Sequence, residues 1–187
     1  MKLQTERLII RKRKITDADD VVEGINNIKV SKWLLKAPYP YTKKDATAWL
    51  SRATKKEDYS FLIELKAEKK VIGAIGLQDV NKAQGITGIG YWLNEKYHCQ
   101  GYGSEALGAM LDLAFNKLKL RRVYAEIFAG NLSSGKLLEK YGAQKEGFAR
   151  KAKISKADKK IKDEILYGLL KEDYKKATRK MKKRSIN

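Results

Sequence analysis

The chain is poor in the residues from which many functional signatures are built. Its 187 residues include one cysteine, Cys99, one histidine, His98, and two prolines, Pro38 and Pro40. A single cysteine excludes an intrachain disulfide framework and a cysteine-rich zinc site. A single histidine leaves a Ser-His-Asp arrangement possible in principle but excludes a multi-histidine metal centre, so no metal site is expected. Both prolines fall in Lys36-Ala-Pro-Tyr-Pro-Tyr-Thr42 and mark a stiff loop, not a domain linker. No run approaches 18 apolar residues, which argues against a transmembrane helix and a membrane partner. The opening MKLQTERLIIRKR is too charged for a secretory signal. A soluble, cytoplasmic protein is expected, with one domain of ordinary size. Positive charge, by contrast, is abundant: 41 Lys and Arg against 22 Asp and Glu give a net +19. That predicts attraction to a polyanion without saying which.

Residues Arg7 to Lys12 read as a first strand, and Thr16-Asp17 as the cap of a helix reaching about Asn26. Thr42 is positioned to cap another helix, with Ala46, Trp49, Leu50 and Ala53 at helical spacing. Ser60 to Leu65, Val71 to Leu77 and Thr87 to Leu93 then read as an antiparallel meander. Leu107, Met110, Leu111, Ala114 and Leu118 share one face of a helix starting near Gly103. A strand Val123 to Phe128 follows, then a short helix from about Ser133 to Lys140, stopped at Gly142. Phe148 to Ile154 and Glu164 to Leu170 close the chain as strands. This order predicts an α+β, or mixed α/β, fold.

Two glycine motifs could hold phosphate. Gln100-Gly-Tyr-Gly-Ser-Glu-Ala106 lies between a strand and a helix, where unpaired N–H groups and the helix dipole attract anions. The same residues could merely form a tight turn. They also match G-x-G-x-x-A, with Glu126 at the acidic offset, but Asn94 to Gln100 separate the glycines from their strand, against a dinucleotide site. Gly130-Asn-Leu-Ser-Ser-Gly-Lys136 is close to a P-loop. Its next residue, Leu137, lacks the metal-binding hydroxyl, which argues against a nucleotide triphosphatase.

Four segments in order resemble the GNAT N-acetyltransferases, and most closely the RimJ/RimL type that acetylates N-termini of ribosomal proteins. Ile89-Gly-Tyr-Trp-Leu-Asn-Glu-Lys-Tyr-His-Cys-Gln-Gly-Tyr-Gly-Ser-Glu-Ala-Leu107 is similar to the acetyl-CoA-binding motif. Asn131-Leu-Ser-Ser-Gly-Lys-Leu-Leu-Glu-Lys-Tyr-Gly142 is similar to the second motif. Glu146-Gly-Phe-Ala-Arg150 and Ile165 to Asp173 resemble the closing strands, and Thr5-Glu-Arg-Leu8 the opening. The resemblance implies a GNAT-like fold: a mostly antiparallel twisted sheet of about seven strands, splayed between the fourth and fifth (Thr87 to Leu93 and Val123 to Phe128) and flanked by helices. Acetyl-CoA would be the cosubstrate. Its pantetheine arm would enter the splay and pair with backbone near Trp92 and Leu93, and its pyrophosphate would sit on amides from Gln100 through Gly101, Tyr102 and Gly103 to Ser104.

The chemistry needs a neutral amine, an oxyanion donor and a proton for the leaving thiolate, which is a fair leaving group by itself. The position at which many members carry a tyrosine donor is Leu138 here, and the resemblance points instead to Ser134 as donor to the CoA sulfur. A serine capping its helix is the alternative. Of the two positions where the resemblance would put a basic glutamate, one is Gly88 and the other Lys153. Glu126 is the remaining carboxylate near the motifs, with a water-mediated base or an outward strand position as alternatives. Asn131 could bond pantetheine or form a turn. His98 could touch a CoA phosphate or face solvent, and Cys99 reads as a passive thiol. Trp33, Tyr39, Tyr41 and Trp49 lie where the resemblance puts the acceptor, although core packing would also explain the tryptophans.

Residues 1–174 are expected to form the single catalytic domain and 175–187 a basic tail. The tail is either a solvated segment or a ribosome- or rRNA-facing surface with salt-dependent binding. The resulting expectation is an acetyl-CoA-dependent N-acetyltransferase acting on a protein or peptide N-terminus, acidic or neutral in sequence, as a monomer or homodimer. A catalytically weak ribosome- or RNA-binding module and an acetyltransferase of a small amine are the alternatives.

Overall fold

The computed structural model describes residues 1–52 and 59–184. Ala53, expected on the inner face of the helix after Thr42, and tail residues 185–187 lie outside the described residues. Eight strands form one sheet: β1 (Lys2–Gln4), β2 (Leu8–Arg11), β3 (Ser60–Leu65), β4 (Lys70–Asn81), β5 (Ile86–Leu93), β6 (Arg122–Phe128), β7 (Gln144–Ile154) and β8 (Ile161–Leu170). They run in the order β1-β2-β3-β4-β5-β6-β8-β7. All neighbours are antiparallel except β5 and β6. The strand beyond the seven expected is β1, whose three residues are too few to show an alternation in sequence.

The sheet alternates its side chains between two apolar layers. Phe61, Ile63 and Leu65 pack with Leu8 and Ile10 against Ala106, Leu107, Met110 and Leu111 of α4 (Tyr102–Asp112). On the other face, Leu62, Val71 and Ala74 meet α1 (Ala18–Ile25) and α3 (Lys43–Leu50) through Val21, Ile25, Ala46 and Leu50. Thr42 caps α3 as expected: its Oγ1 accepts from Asp45 N–H, and Asp45 Oδ2 accepts from Thr42 N–H at 2.9 Å. Asp17 does not cap α1 through its side chain. Its carboxylate instead accepts from Lys14 N–H (2.8 Å) and from both terminal nitrogens of Arg11 (2.9 and 2.8 Å), so a single turn, Ile15–Asp17, precedes the helix.

The remaining helices are α2 (Ile28–Ser31), α5 (Leu132–Lys140) and α6 (Lys171–Arg184). Gly142, at φ 95°, follows α5 in the left-handed conformation that stops a helix. The boundary read after residue 174 falls inside α6. Tyr174 is buried and stacks on Phe115 with ring centroids 5.1 Å apart, while Met181 packs against the same core. Residues 175–184 therefore continue a helix docked on the domain. Among the described residues, no helix is long and apolar enough to cross a membrane.

Candidate active site

The parallel ladder between β5 and β6 is short. Ile86, Thr87 and Gly88 pair with Arg122, Val123 and Tyr124, and no further pairing follows, although β5 continues to Leu93 and β6 to Phe128. The sheet thus opens between the two strands expected to splay. The Asn94 N–H donates to Ile72 O of β4, and pairing with β4 is regular from Leu93 back to Ile89. By the two-residue alternation of a strand, the backbone groups of Leu93, Tyr91 and Ile89 therefore face the gap, and those of Trp92 face β4. The Leu93 carbonyl is already engaged by the His98 ring, Nε2 lying 2.9 Å away. His98 thus helps to end β5.

Beyond the splay, Gly101 takes φ 84° and opens α4 without a side-chain cap. The N–H groups of Tyr102, Gly103 and Ser104 form the first turn and have no intrahelical acceptor. Two cations flank this turn. Arg7 stacks over the Tyr102 ring at 4.4 Å and donates to Gln100 O, while Lys140 Nζ donates to Ser104 Oγ at 2.7 Å. Glu105 fixes Arg7, accepting from its N–H (2.8 Å) and Nε (2.7 Å) as well as from Thr5 Oγ1 (2.6 Å). Burial pushes the Glu105 carboxyl up, but the bonds from Thr5 and Arg7 outweigh it and hold the group below the usual range. Orphan amides with flanking cations suit a pyrophosphate, and gap-facing strand groups suit an amide-bearing arm. Sequence reasoning missed Lys140, because only folding brings it to Ser104.

A cleft of about 620 Å³ adjoins the splay, within the range of small-ligand sites. Trp33, Tyr41, Trp92, Glu126, Asn131 and Ser134 all line it. Leu93, His98 and residues 100–104 do not. Tyr39 is exposed and lines a separate polar hollow with Asn26, Asn27 and Asn94. Trp33 is held under Lys162, whose Nζ also lies 5.1 Å from the Phe128 ring centroid and donates to Lys32 O at 2.6 Å. Tyr41 is buried, and burial above all pushes its hydroxyl up to about 12.

Asn131 caps α5, its Oδ1 accepting from Ser134 N–H at 3.3 Å. The Ser134 hydroxyl is thereby spared from capping. Tyr91 OH donates to Ser134 O at 3.3 Å and steadies the turn from the strand side. Tyr141 is buried beneath α4, where its hydroxyl donates to Ser104 O at 2.7 Å. Gly88 lies under Tyr124: a Cβ there would come within 3.2 Å of the ring, so the aromatic fills the space a larger residue at 88 would need. The Glu126 side chain is half exposed at 49%, with Lys153 Nζ 3.9 Å from its carboxylate. Two further carboxylates, Asp45 and Glu164, line the same cleft and were not singled out from sequence.

Residues 7–144 match the sequence profile described as the acetyltransferase (GNAT) domain. The chain belongs to the GNAT acetyltransferases. Its relatives include the probable N-acetyltransferase YjcK of Bacillus subtilis (strain 168), 32% identical over 80% of this chain and 87% of that protein. The uncharacterized N-acetyltransferase p20 of Bacillus licheniformis is 30% identical over 92% of this chain and 97% of that one. Among solved structures, a GNAT-family acetyltransferase from Bacillus anthracis superposes with TM-score 0.80 and 28% identity, over 92% of this chain and 99% of that one. The fold is shared with the ribosomal-protein-S5-alanine acetyltransferase of Vibrio fischeri (TM-score 0.78, 22% identity, 93% and 98% coverage). It is shared too with RimJ of Mycobacterium smegmatis in complex with CoA-disulfide (TM-score 0.74, 20% identity, 88% and 82% coverage). This GNAT enzyme is an N-acetyltransferase, and acetyl-CoA is the cosubstrate that its fold uses.

Proposed function

We propose that this enzyme acetylates the N-terminal α-amine of a protein, in the manner of a ribosomal-protein acetyltransferase. The observation that carries the reading is the cleft: it lies beside the splay and is lined by Trp33, Tyr41 and the carboxylates of Asp45, Glu126 and Glu164. An α-amine has a pKa of about 8, so it arrives mostly as an ammonium that acids attract and retains a useful neutral fraction near pH 7. Two of the structural neighbours, from Vibrio fischeri and Mycobacterium smegmatis, are a ribosomal-protein acetyltransferase and a RimJ, which favours a protein acceptor.

Within this reading, the amides from Gln100 to Ser104 hold the pyrophosphate, Arg7 and Lys140 supply positive potential, and Asn131 shapes the turn beside the pantetheine. The gap-facing N–H of β5 offers the oxyanion donor. The Ser134 hydroxyl donates to the departing sulfur, and Glu126 at the cleft mouth draws in the ammonium. The exposed lysines and arginines of α6 and the β7–β8 hairpin bring the enzyme to ribosomal RNA. CoA release measured with peptides of varied N-terminal residue, beside small amines, tests the acceptor. Peptide turnover should exceed small-amine turnover, and the reverse result removes the protein-acceptor reading. Ser134→Ala should lower turnover about tenfold, a modest loss because the thiolate leaves readily. Unchanged turnover would end the donor role.

A further inference from the structure

Glu164 belongs to the final strand, where the sequence shows only another charged residue in a basic region. The register puts it directly across from Phe128 on β6 and from Ala149 on β7. Its side chain is 14% exposed, against 49% for Glu126. Lys153 Nζ stands 3.9 Å from each of the two carboxylates, so one lysine serves both. A largely covered carboxylate whose one ion pair among the described residues is long and shared gains little stability, and its position in the cleft invites a functional explanation. We propose that Glu164 is the general base that takes the proton from the acceptor ammonium. The assignment rests on the acetyl-transfer reading and names the group that reading leaves open. It also accounts for the two positions where a glutamate was expected and absent. Tyr124 covers Gly88, and the carboxylate that Lys153 lacks is supplied from the neighbouring strand.

Burial first, and then the charge of Glu126, push the Glu164 carboxyl above the usual range, with Lys153 partly offsetting them. A raised value suits a base that must exchange protons with an amine near neutral pH. Other titratable groups lining the cleft are Tyr124 on β6, Tyr91 on β5, Lys156 in the turn after β7, and Lys36, Tyr41, Asp45 and Arg52 from the N-terminal helical region. The proton balance is simple. The Glu164 carboxylate accepts one proton from R–NH3⁺, and the free amine attacks the thioester carbonyl as the C–N bond forms and the C–S bond breaks. The Ser134 hydroxyl gives its proton to the thiolate and is restored by the second amine proton, giving the amide and CoA thiol, and Glu164 returns its proton to solvent.

The test is the pH dependence of kcat/KM for CoA release with a peptide acceptor, in the wild type, Glu164→Gln and Lys153→Met. Glu164→Gln should lose about 100-fold near pH 7 and recover most of it above pH 9, where the amine is already neutral. Removing the Lys153 charge should raise the carboxyl further and move the acid limb to higher pH. A thermal shift with acetyl-CoA, retained in Glu164→Gln, separates loss of the base from loss of the fold. A wild-type profile in Glu164→Gln, an unmoved acid limb in Lys153→Met, or loss of the acetyl-CoA shift would each overturn the assignment. In the first two cases the acetyl-transfer reading survives, whereas a wild type that releases no CoA with any amine removes both.

Discussion

Asp17 shows how one side chain can be read correctly for type and wrongly for task. A Thr-Asp pair ahead of an apolar run is a sound capping signal, and a helix does follow it. The carboxylate is only 7% exposed, however, and accepts a bidentate pair from Arg11, which also contacts Glu64 across the sheet. Both acids, the bond to Asp17 first, push the Arg11 guanidinium further up. Asp17→Ala would leave the part-buried Arg11 with one counter-charge instead of two. The expected loss is about 3 kcal/mol, read as a lower urea midpoint at unchanged slope, far more than a lost cap alone would give. Ser134 and Asn131 carry the same lesson. Either could cap α5, and only the geometry assigns the task to Asn131. Both were visible as motif positions, whereas Glu164 was not, because burial and the approach of Lys153 depend on a cross-strand register that spacing along one strand does not encode.

At the scale of elements, the β7–β8 hairpin does more than close the sheet. Its turn holds the segment that roofs the cleft: Lys162 Nζ and Ser155 Oγ both donate to Lys32 O, and Lys156 N–H donates to Leu35 O. Lys162 is itself paired with Asp158 at 2.9 Å and lies 5.3 Å from the Trp33 ring centroid. The wall of the proposed acceptor cleft is thus clamped by an element more than a hundred residues away in sequence. Lys162→Met keeps the aliphatic stem but removes the donor. It should raise the acceptor KM several-fold while leaving acetyl-CoA binding unchanged, since the amides at Gln100 to Ser104 stand at the other end of the splay. Paired KM measurements for the two substrates decide it, and an equal rise in both would mean a general loosening. Most strands and helices were legible from alternation and glycine stops, and the splay was implied by family resemblance. The clamp was not, because Lys162 reads locally as one more solvated lysine in a basic run. The α6 helix falls between these cases: Tyr174, Ala177 and Met181 recur at helical spacing, yet the density of lysine around them reads as a tail.

For the whole molecule, the net charge of +19 exceeds what acetyl-CoA requires, because the proposed site offers its phosphates backbone amides and two flanking cations. The surplus gathers at one end of the sheet, where Lys145, Arg150, Lys151, Lys159 and Lys160 are exposed around β7, and Lys175, Lys176, Arg179, Lys180 and Lys183 around α6. Lysines along β7 have a second use, because they discourage an open sheet edge from pairing with other chains. Those on α6 have no edge to guard, so α6 is the better place to test for a polyanion. Deleting it would be a poor experiment, since Tyr174 stacks on both Phe115 and Tyr141 and truncation nearby threatens the core beneath α4. Glutamine at Lys175, Lys176, Arg179, Lys180 and Lys183 removes the charge while keeping a good helix former at each position. If α6 grips RNA phosphates at about five points, wild-type affinity for ribosomes should fall about 10²–10³-fold between 50 and 200 mM salt. The substituted protein should bind weakly at the lower salt and lose much of that slope, with CoA release from a free peptide unchanged. Ribosome co-sedimentation across a salt series, run beside that turnover assay, separates where the enzyme works from the reaction it performs. Equal binding by the two proteins at 50 mM salt would mean that α6 owes its lysines to something other than RNA.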